Sequence, residues 1–226
     1  MLDERLSLAA SLYEPCEWGA DIGTDHAYLP CHLLQRNICQ HVIAADVSAK
    51  ALTRARQNLT QRGLIDRADV VCADGLDAIT RRCGCISIMG MGGELMGSIL
   101  RKGQNRLQGA VLVLGAHTEL HLVRQAIHDV GYHIVQERLC KAAGRFYVFW
   151  RAETGAEDTS DSEIRYGSRL WQENSPLLQA YAAWRLRVLQ DKERGLTAAS
   201  LRDEEAIREV QADIAWYNRK LEELTC

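Results

Sequence analysis

Four short segments hold most of the residues whose chemistry could be combined at one place. They are Asp21-Ile22-Gly23-Thr24-Asp25-His26-Ala27-Tyr28, Asp46-Val47, Asp74-Gly75-Leu76 and Gly90-Met91-Gly92-Gly93. The first carries two carboxylates and a single glycine. A dinucleotide diphosphate needs close backbone approach at a helix N-terminus, which a G-x-G-x-x-G turn supplies. That turn is missing, and Asp21 and Asp25 repel an anion. The segment suits a cofactor with a cationic amino-acid end, and S-adenosylmethionine carries both a sulfonium and an ammonium. Asp46 closes the apolar run HVIAAD, and an acid there can accept both hydroxyls of a ribose in NAD and S-adenosylmethionine folds alike. Asp74 can take the exocyclic amine of adenine, with Gly75 admitting the backbone. The residues Gly90 to Gly93 offer backbone groups and room for a flat base.

Each segment also has a plainer reading. Thr24 or Asp25 can cap the next helix. Asp74-Gly75 is a common turn pair, and the glycines after residue 89 can make a tight turn. Three acids closing three successive apolar runs are harder to read as coincidence. The candidate cofactor residues are therefore Asp21, Gly23, Thr24, Asp25, His26, Asp46, Val47, Asp74, Gly75, Leu76, Gly90 and Met91.

The elements that must position these residues follow from periodicity. An amphipathic helix covers about residues 3–13. Apolar strands are expected at 18–22, 41–46, 68–72, 85–89 and 109–114. Helices are expected at 28–36 and 49–61 (with Gly63 past the end of the second), from Gly93 to about 100, and at 118–130. Residues 132–139 and 145–151 read as a hairpin joined by Lys141-Ala142-Ala143-Gly144. Short apolar strands alternating with amphipathic helices mean a parallel sheet covered on both faces, with ligands at the carboxyl ends of its strands. The fold class is α/β, a Rossmann-like domain over 1–153, which the S-adenosylmethionine reading of the first segment makes an expected class I methyltransferase domain. A C-terminal α-helical hairpin, coiled-coil-like, follows over 160–226. Between them lies the acidic stretch ETGAEDTSDSE. In the hairpin Leu177, Tyr181, Trp184 and Val188 make one stripe, and Ile207, Val210, Ile214, Tyr217, Leu221 and Leu224 a second. Both stripes read as packing seams, broken apart at Gly195 or just after it.

Composition bounds the rest. Of 226 residues, 47% are hydrophobic and 25% charged, which excludes a disordered chain. No apolar run approaches the roughly 20 residues that cross a bilayer. The N-terminus lacks the basic start and apolar core of a signal peptide, so a cytoplasmic protein with no membrane association is expected. Eight cysteines include Cys83-Gly84-Cys85, a lone CxC without a second cluster. Buried free thiols and no metal are the expectation. The net charge of −3 shows no bulk basic excess of the kind nucleic-acid binders often have. A monomer is compatible with these features, although nothing in the residues sets the oligomeric state.

Together DIGTDHAYLP, AADV, ADGL, GMGG and GRFYVFW closely resemble the bacterial tRNA (adenine-22-N1)-methyltransferases, over nearly the whole chain. DIGTDHAYLP and GMGG are specific as a pair, whereas AADV and ADGL occur in many methyltransferases. The resemblance implies S-adenosylmethionine as methyl donor and tRNA as acceptor. It puts Asp21 to His26 at the methionine end, Asp46 at the ribose, and Asp74, Gly75 and Leu76 at the adenine. It puts Gly90 to Gly93 and Tyr28 beside the target base, with Arg145 and Tyr147 of GRFYVFW as further substrate candidates. One segment departs: Gly115-Ala116-His117 stands where the family usually has Gln-Pro-Asn.

N1 of adenine has an in-plane lone pair and no proton, so the implied reaction needs no strong base and depends on alignment. Asp25 is the candidate for electrostatic help, His26 for orientation or proton shuttling, and Tyr28 for stacking on the base. His26 and Tyr28 could equally be a helix-start residue and a packing residue. Three rival readings remain: a methyltransferase for a small molecule, a protein or another RNA adenine; an NAD oxidoreductase, disfavoured by the missing glycines; and a non-catalytic module. A basic track through Arg101, Lys102, Arg106, Arg138, Lys141, Arg145 and Arg151 would favour RNA.

Overall fold

Side chains that are apolar at every position of a strand require cover on both sides of the sheet. β1 (Cys16–Ile22), β2 (Cys39–Asp46), β3 (Ala68–Cys72), β4 (Cys85–Met89) and β5 (Val111–Ala116) pair in parallel. In β2, Val42, Ile43 and Ala44 are all 0% exposed, so both faces of that strand are covered. The computed structural model describes residues 2–173, 175–199 and 202–225. β6 (Tyr132–Ala142) and β7 (Arg145–Thr154) complete a sheet of order β3-β2-β1-β4-β5-β7-β6, with β7 antiparallel to β5 and β6.

Alternation sorts the cover. Val42, Ala44, Cys85 and Val113 pack with α1 (Glu4–Ser11), α2 (Tyr28–Gln35) and α3 (Ala49–Gln61). The opposite face is covered by α4 (Gly93–Lys102) and α6 (Leu120–Asp129), which pack on one another, and the short α5 (Gln104–Leu107) lies between them in sequence. Asp3 caps α1 through Leu6 N–H, and Ser48 caps α3 through Ala51 N–H.

Three local details differ from the sequence reading. The hairpin turn is only Ala143-Gly144, both at positive φ (47° and 76°), the twist-matched two-residue connection. β6 and β7 consequently run longer than expected. β5 starts and ends two residues later than expected, which puts Gly115 and Ala116 inside the strand.

The chain divides into two compact units, Met1–Glu173 and Asn174–Cys226. The first therefore extends past the acidic stretch. The reason is a buried charge pair far apart in sequence. Glu137 on β6 accepts from Arg124 Nε of α6 at 2.7 Å and from Trp150 Nε1 at 2.7 Å. Its second oxygen accepts from Leu170 N–H at 3.0 Å. Arg124 donates onward to the carbonyls of Ile164 and Arg165. These bonds fasten α7 (Asp161–Tyr166) and α8 (Ser168–Gln172) to the first unit.

The second unit consists of α9 (Leu178–Ala198) and α10 (Glu204–Glu223), which pack on one another. Gln211 of α10 donates to Glu193 of α9 at 2.8 Å, and the rings of Tyr181 and Tyr217 meet edge-on at 6.5 Å. The pairing of 193 with 211 and of 181 with 217 makes the helices antiparallel. Ile207, Val210 and Tyr217 are buried as expected, while on α9 the buried positions are Leu178, Tyr181, Ala182 and Leu189. Val188 is 40% exposed and drops out of the seam. Gly195 lies inside α9, and the break follows Ala198; Ser200, Leu201 and Cys226 lie outside the described residues. Among the described residues no helix is long and apolar enough to cross a membrane, and no group of three or more His, Cys, Asp or Glu side chains could hold a metal ion.

Arg124→Met should leave Glu137 charged in a site where both partners are at most 3% exposed. Stranding a buried charge costs about 3–5 kcal/mol. Urea unfolding monitored by circular dichroism should show that loss, and an unchanged midpoint would contradict it.

Candidate active site

β1 and β4 are sheet neighbours whose following helices cover opposite faces, so their carboxyl ends open into a crevice. Two adjoining hollows occupy it, sharing Gly23, Met89 and Gly90. One holds Asp46, Val47, Asp74, Gly75 and Met91, together with Leu95 and Ile99 of α4. The other holds Asp21, Thr24, Asp25, His26 and Tyr28, and is walled by His117, Tyr147 and Phe149, with Arg5 of α1. Gly23 and Gly90 adopt φ of +82° and +78°, which only glycine takes readily, and no atom stands within 4 Å of where a Gly90 Cβ would be.

Exposed apolar surface points to the same crevice. In the first unit the described large hydrophobic side chains left exposed are Tyr28, Val47 and Leu95, at 47%, 66% and 55%. All three line these hollows. Apolar groups gathered around a polar trough mark a ligand surface.

Asp21 is the most constrained acid. It is paired in register with Ser87 of β4, whose hydroxyl donates to Asp21 Oδ1 at 2.7 Å. Tyr13 OH in turn donates to Ser87 Oγ at 2.7 Å. Burial pushes the Asp21 carboxyl up to about 6, against the hydrogen bonds that favour its charge. Burial also drives the Tyr13 hydroxyl well above its ordinary value, so it remains a neutral donor.

The other acids are not helix caps. The residue preceding α2 is Ala27, and no side chain caps that helix. Asp25 instead lies 3.1 Å from Arg54 of α3 and 3.3 Å from His26 Nε2. His26 stacks on Tyr28 with centroids 5.2 Å apart, and Asn58 of α3 donates to the His26 carbonyl at 2.7 Å. These bonds from α3 hold Ala27 at φ +52°, an uncommon conformation for a residue with a Cβ. Asp46 gives one oxygen to Ser48 N–H at 2.7 Å, leaving the other uncommitted among the described residues. Asp74 makes no capping bond to the turn it opens and is exposed.

Four expected residues lie away from the hollows. Leu76 is 2% exposed and buried against Gly103. Gly92 and Gly93 start α4; a Cβ on Gly93 would strike the Glu119 carbonyl oxygen at 2.3 Å, so that glycine serves helix contact. Arg145 is exposed beside the hairpin turn. Three of the seven residues of the basic track are committed to internal partners: Arg101 pairs with Asp129, Arg138 with Glu173, and Arg151 with Glu14 and Glu153.

Sequence reasoning missed Arg5, Met89, Leu95, Ile99 and Phe149 as lining residues, and Tyr13, Ser87, Arg54 and Asn58 as supports. Phase alone could have found Phe149 and Ser87. Phe149 lies two residues from Tyr147 on one face of β7, and Ser87 is the one polar side chain in β4. The Gly115-Ala116-His117 segment is also explained. A Cβ on Gly115 would come within 2.5 Å of the Phe149 ring, so the glycine seats that ring. His117 tilts against Tyr147 with centroids 5.4 Å apart.

The family model for tRNA (adenine(22)-N(1))-methyltransferase, TrmK, matches residues 19–219. A tRNA (adenine(22)-N(1))-methyltransferase of Bacillus subtilis (strain 168) is 30% identical over 161 residues, 70% of this chain and 68% of that protein. Among solved structures, a candidate tRNA (m1A22) methyltransferase of Streptococcus pneumoniae has a TM-score of 0.88 at 30% identity, covering 98% of this chain and 100% of that one. In complex with S-adenosyl-L-methionine the same protein gives 0.87 at 29% identity, again with 98% and 100% covered. With the strand-end acids and the crevice already in place, a match running from β1 into α10 shows that the chain belongs to the TrmK family of tRNA (adenine(22)-N(1))-methyltransferases.

Proposed function

We propose that the two hollows divide the work of S-adenosylmethionine-dependent methyl transfer to N1 of an adenine, position 22, in tRNA. The observation that carries the division is the trough itself: open carboxylate oxygens on Asp46 and Asp74, exposed apolar Val47 and Leu95 beside them, and Asp21 in the adjoining hollow. Asp46 receives the ribose hydroxyls. Asp74 and Gly75 receive the adenine edge, with Val47, Met91 and Leu95 against its faces. Asp21, ionised at neutral pH, and the backbone from Gly23 to His26 receive the methionine end. These residues fit the cofactor because its sulfonium and ammonium are cations and Asp21 is an acid. The bound cofactor supplies an electrophilic methyl group.

The second hollow takes the target base. Tyr28, Tyr147 and Phe149 offer aromatic surface on which an unstacked adenine can lie. The N1 lone pair attacks without prior deprotonation, so the protein's contribution is alignment and placement of negative charge near a base that becomes cationic. Asp25 and His26 act with Arg54 by holding the loop, and Tyr28 touches the base. A tRNA substrate supports a cytoplasmic enzyme, and a single copy contains every residue assigned here.

The primary test is product formation. Unmodified tRNA incubated with labelled donor, digested and analysed by mass spectrometry should yield 1-methyladenosine at position 22. Measurable donor binding with no transfer to several tRNAs would sink the assignment. Asp46→Ala should weaken donor binding in calorimetry by roughly tenfold to a hundredfold, the value of a charged hydrogen bond. Equal affinity would remove Asp46 from the ribose role.

Asp21 makes a second, pH-dependent prediction. Donor affinity should fall as pH drops through about 6, where the carboxyl takes up its proton. Stability should move the other way. The folded carboxyl is raised from 3.8 to about 6, so ionisation opposes folding increasingly across that interval and fully above it. The penalty is about 3 kcal/mol at 1.36 kcal/mol per pH unit. Asp21→Asn should therefore bind donor more weakly yet unfold at higher urea near neutral pH, with the stability gain vanishing below about pH 4. A variant less stable than wild type near neutrality would contradict this account.

A further inference from the structure

At the end of the sheet away from the crevice, the strand starts bring four cysteines together. Cys16 opens β1, Cys39 opens β2, and Cys83 and Cys85 precede and open β4. Cys16 and Cys39 are register partners on adjacent strands, and their sulfurs lie 3.4 Å apart. Two glycines make the room. A Cβ on Gly19 would come within 2.7 Å of Cys39 Sγ, and one on Gly84 within 2.6 Å of Cys16 Cβ. Access is unequal: Cys16 is partly exposed, whereas Cys39, Cys83 and Cys85 are 0%, 2% and 1% exposed.

We propose that Cys16 and Cys39 form a peroxide-responsive dithiol, with Cys16 as the thiol that meets oxidant and Cys39 as the thiol that resolves it. The Cys16 sulfur attacks one peroxide oxygen; an S–O bond forms, the O–O bond breaks, and hydroxide leaves as water with the thiol proton. The Cys39 sulfur then attacks the Cys16 sulfenic sulfur. An S–S bond forms, the S–O bond breaks, and the departing hydroxide takes the Cys39 proton as a second water. Two thiols lose two electrons and one hydrogen peroxide gains them. Closing the bond requires the sulfurs to approach by somewhat over about 1 Å, within reach of side-chain rotation between register partners. The hydrogen bond between the two sulfurs supports the division of labour, since it lowers the Cys16 thiol and raises the Cys39 thiol. A reducing cytoplasm keeps the pair open until oxidant arrives.

The test uses the intact protein and needs no methyl-transfer readout. Reduced protein is treated with hydrogen peroxide, free thiols are alkylated, and a non-reducing digest is mapped by mass spectrometry. The expected product is a Cys16–Cys39 linked peptide lighter by two hydrogens and released by dithiothreitol. Cys72, the exposed thiol on β3, is the internal comparator. In Cys39→Ser, dimedone should trap a sulfenic acid at Cys16; should that variant fail to fold, the wild-type map decides alone. Oxidation of Cys72 with Cys16 still alkylatable, linkage of Cys16 to Cys83 or Cys85, or Cys16 sulfinic acid without any link would each overturn the proposal.

Discussion

The hydrogen bond from Ser87 to Asp21 spans the pair of strands at which the sheet reverses its order of growth. β1 continues into α2 on one face and β4 into α4 on the other, so nothing in the chain's own path fills the space above them. The register that sets Asp21 against Ser87 also sets Ile22 against Ile88, and the glycines Gly23 and Gly90 follow at the lip. A slip of one residue would turn Asp21 toward the other face of the sheet. The carboxylate would then lose its partner while remaining buried, the costliest position for a charge. Tyr13 anchors the bond from below, and because Tyr13 closes the segment after α1, the N-terminal helix is fixed by the same network that fixes the acid.

The trough is built by a division between charges that are held and charges that are left open. Asp25 pairs with Arg54, and Asn58 donates to the His26 carbonyl, so both contacts bind the loop to α3. Arg124 and Glu137 are spent on each other, on Trp150, and on the backbone of α7 and α8. Asp46 and Asp74 keep carboxylate oxygens without protein partners among the described residues, on a rim that also exposes Val47 and Leu95. Open acceptors beside exposed apolar surface suit a ligand that is polar on one edge and flat on its faces.

Much of this was legible because parallel strands buried on both faces leave an unmistakable apolar signature, and because the candidate site residues follow those strands directly. The acids at 21, 46 and 74 needed no tertiary information. What was hidden depends on partners distant in sequence. Arg54 and Asn58 look like surface residues of an amphipathic helix until the loop from β1 is laid against them. The boundary at Glu173 is invisible from ETGAEDTSDSE, whose composition reads as linker, because Glu137 and Arg124 reach across to the residues that follow it. Gly93 was assigned to the base because glycine permits close approach; the structure shows that the approaching group is the backbone at residue 119. Val188 dropped out because a stripe read over only four positions fixes helix phase poorly; the longer stripe of α10 finds Ile207, Val210 and Tyr217 but loses Leu224, 37% exposed at the helix end.

The role of Asp25 illustrates why residue type alone misleads at such a site. An acid beside a histidine, next to a cofactor loop, suggests proton transfer. Yet the nucleophile here carries no proton to remove, so a base would contribute nothing before the attack. Asp25 moreover pairs with Arg54, while Ala27, two residues on, is held in a left-handed conformation by the contacts of that loop. A strained backbone that is over-determined by its surroundings serves geometry, and alignment of lone pair, methyl carbon and sulfur is what this reaction demands. On the proposed function, Asp25 acts by fixing the position of its loop, and Asp21, buried with its carboxyl pushed up to about 6, is the acid that faces the cofactor's cationic end.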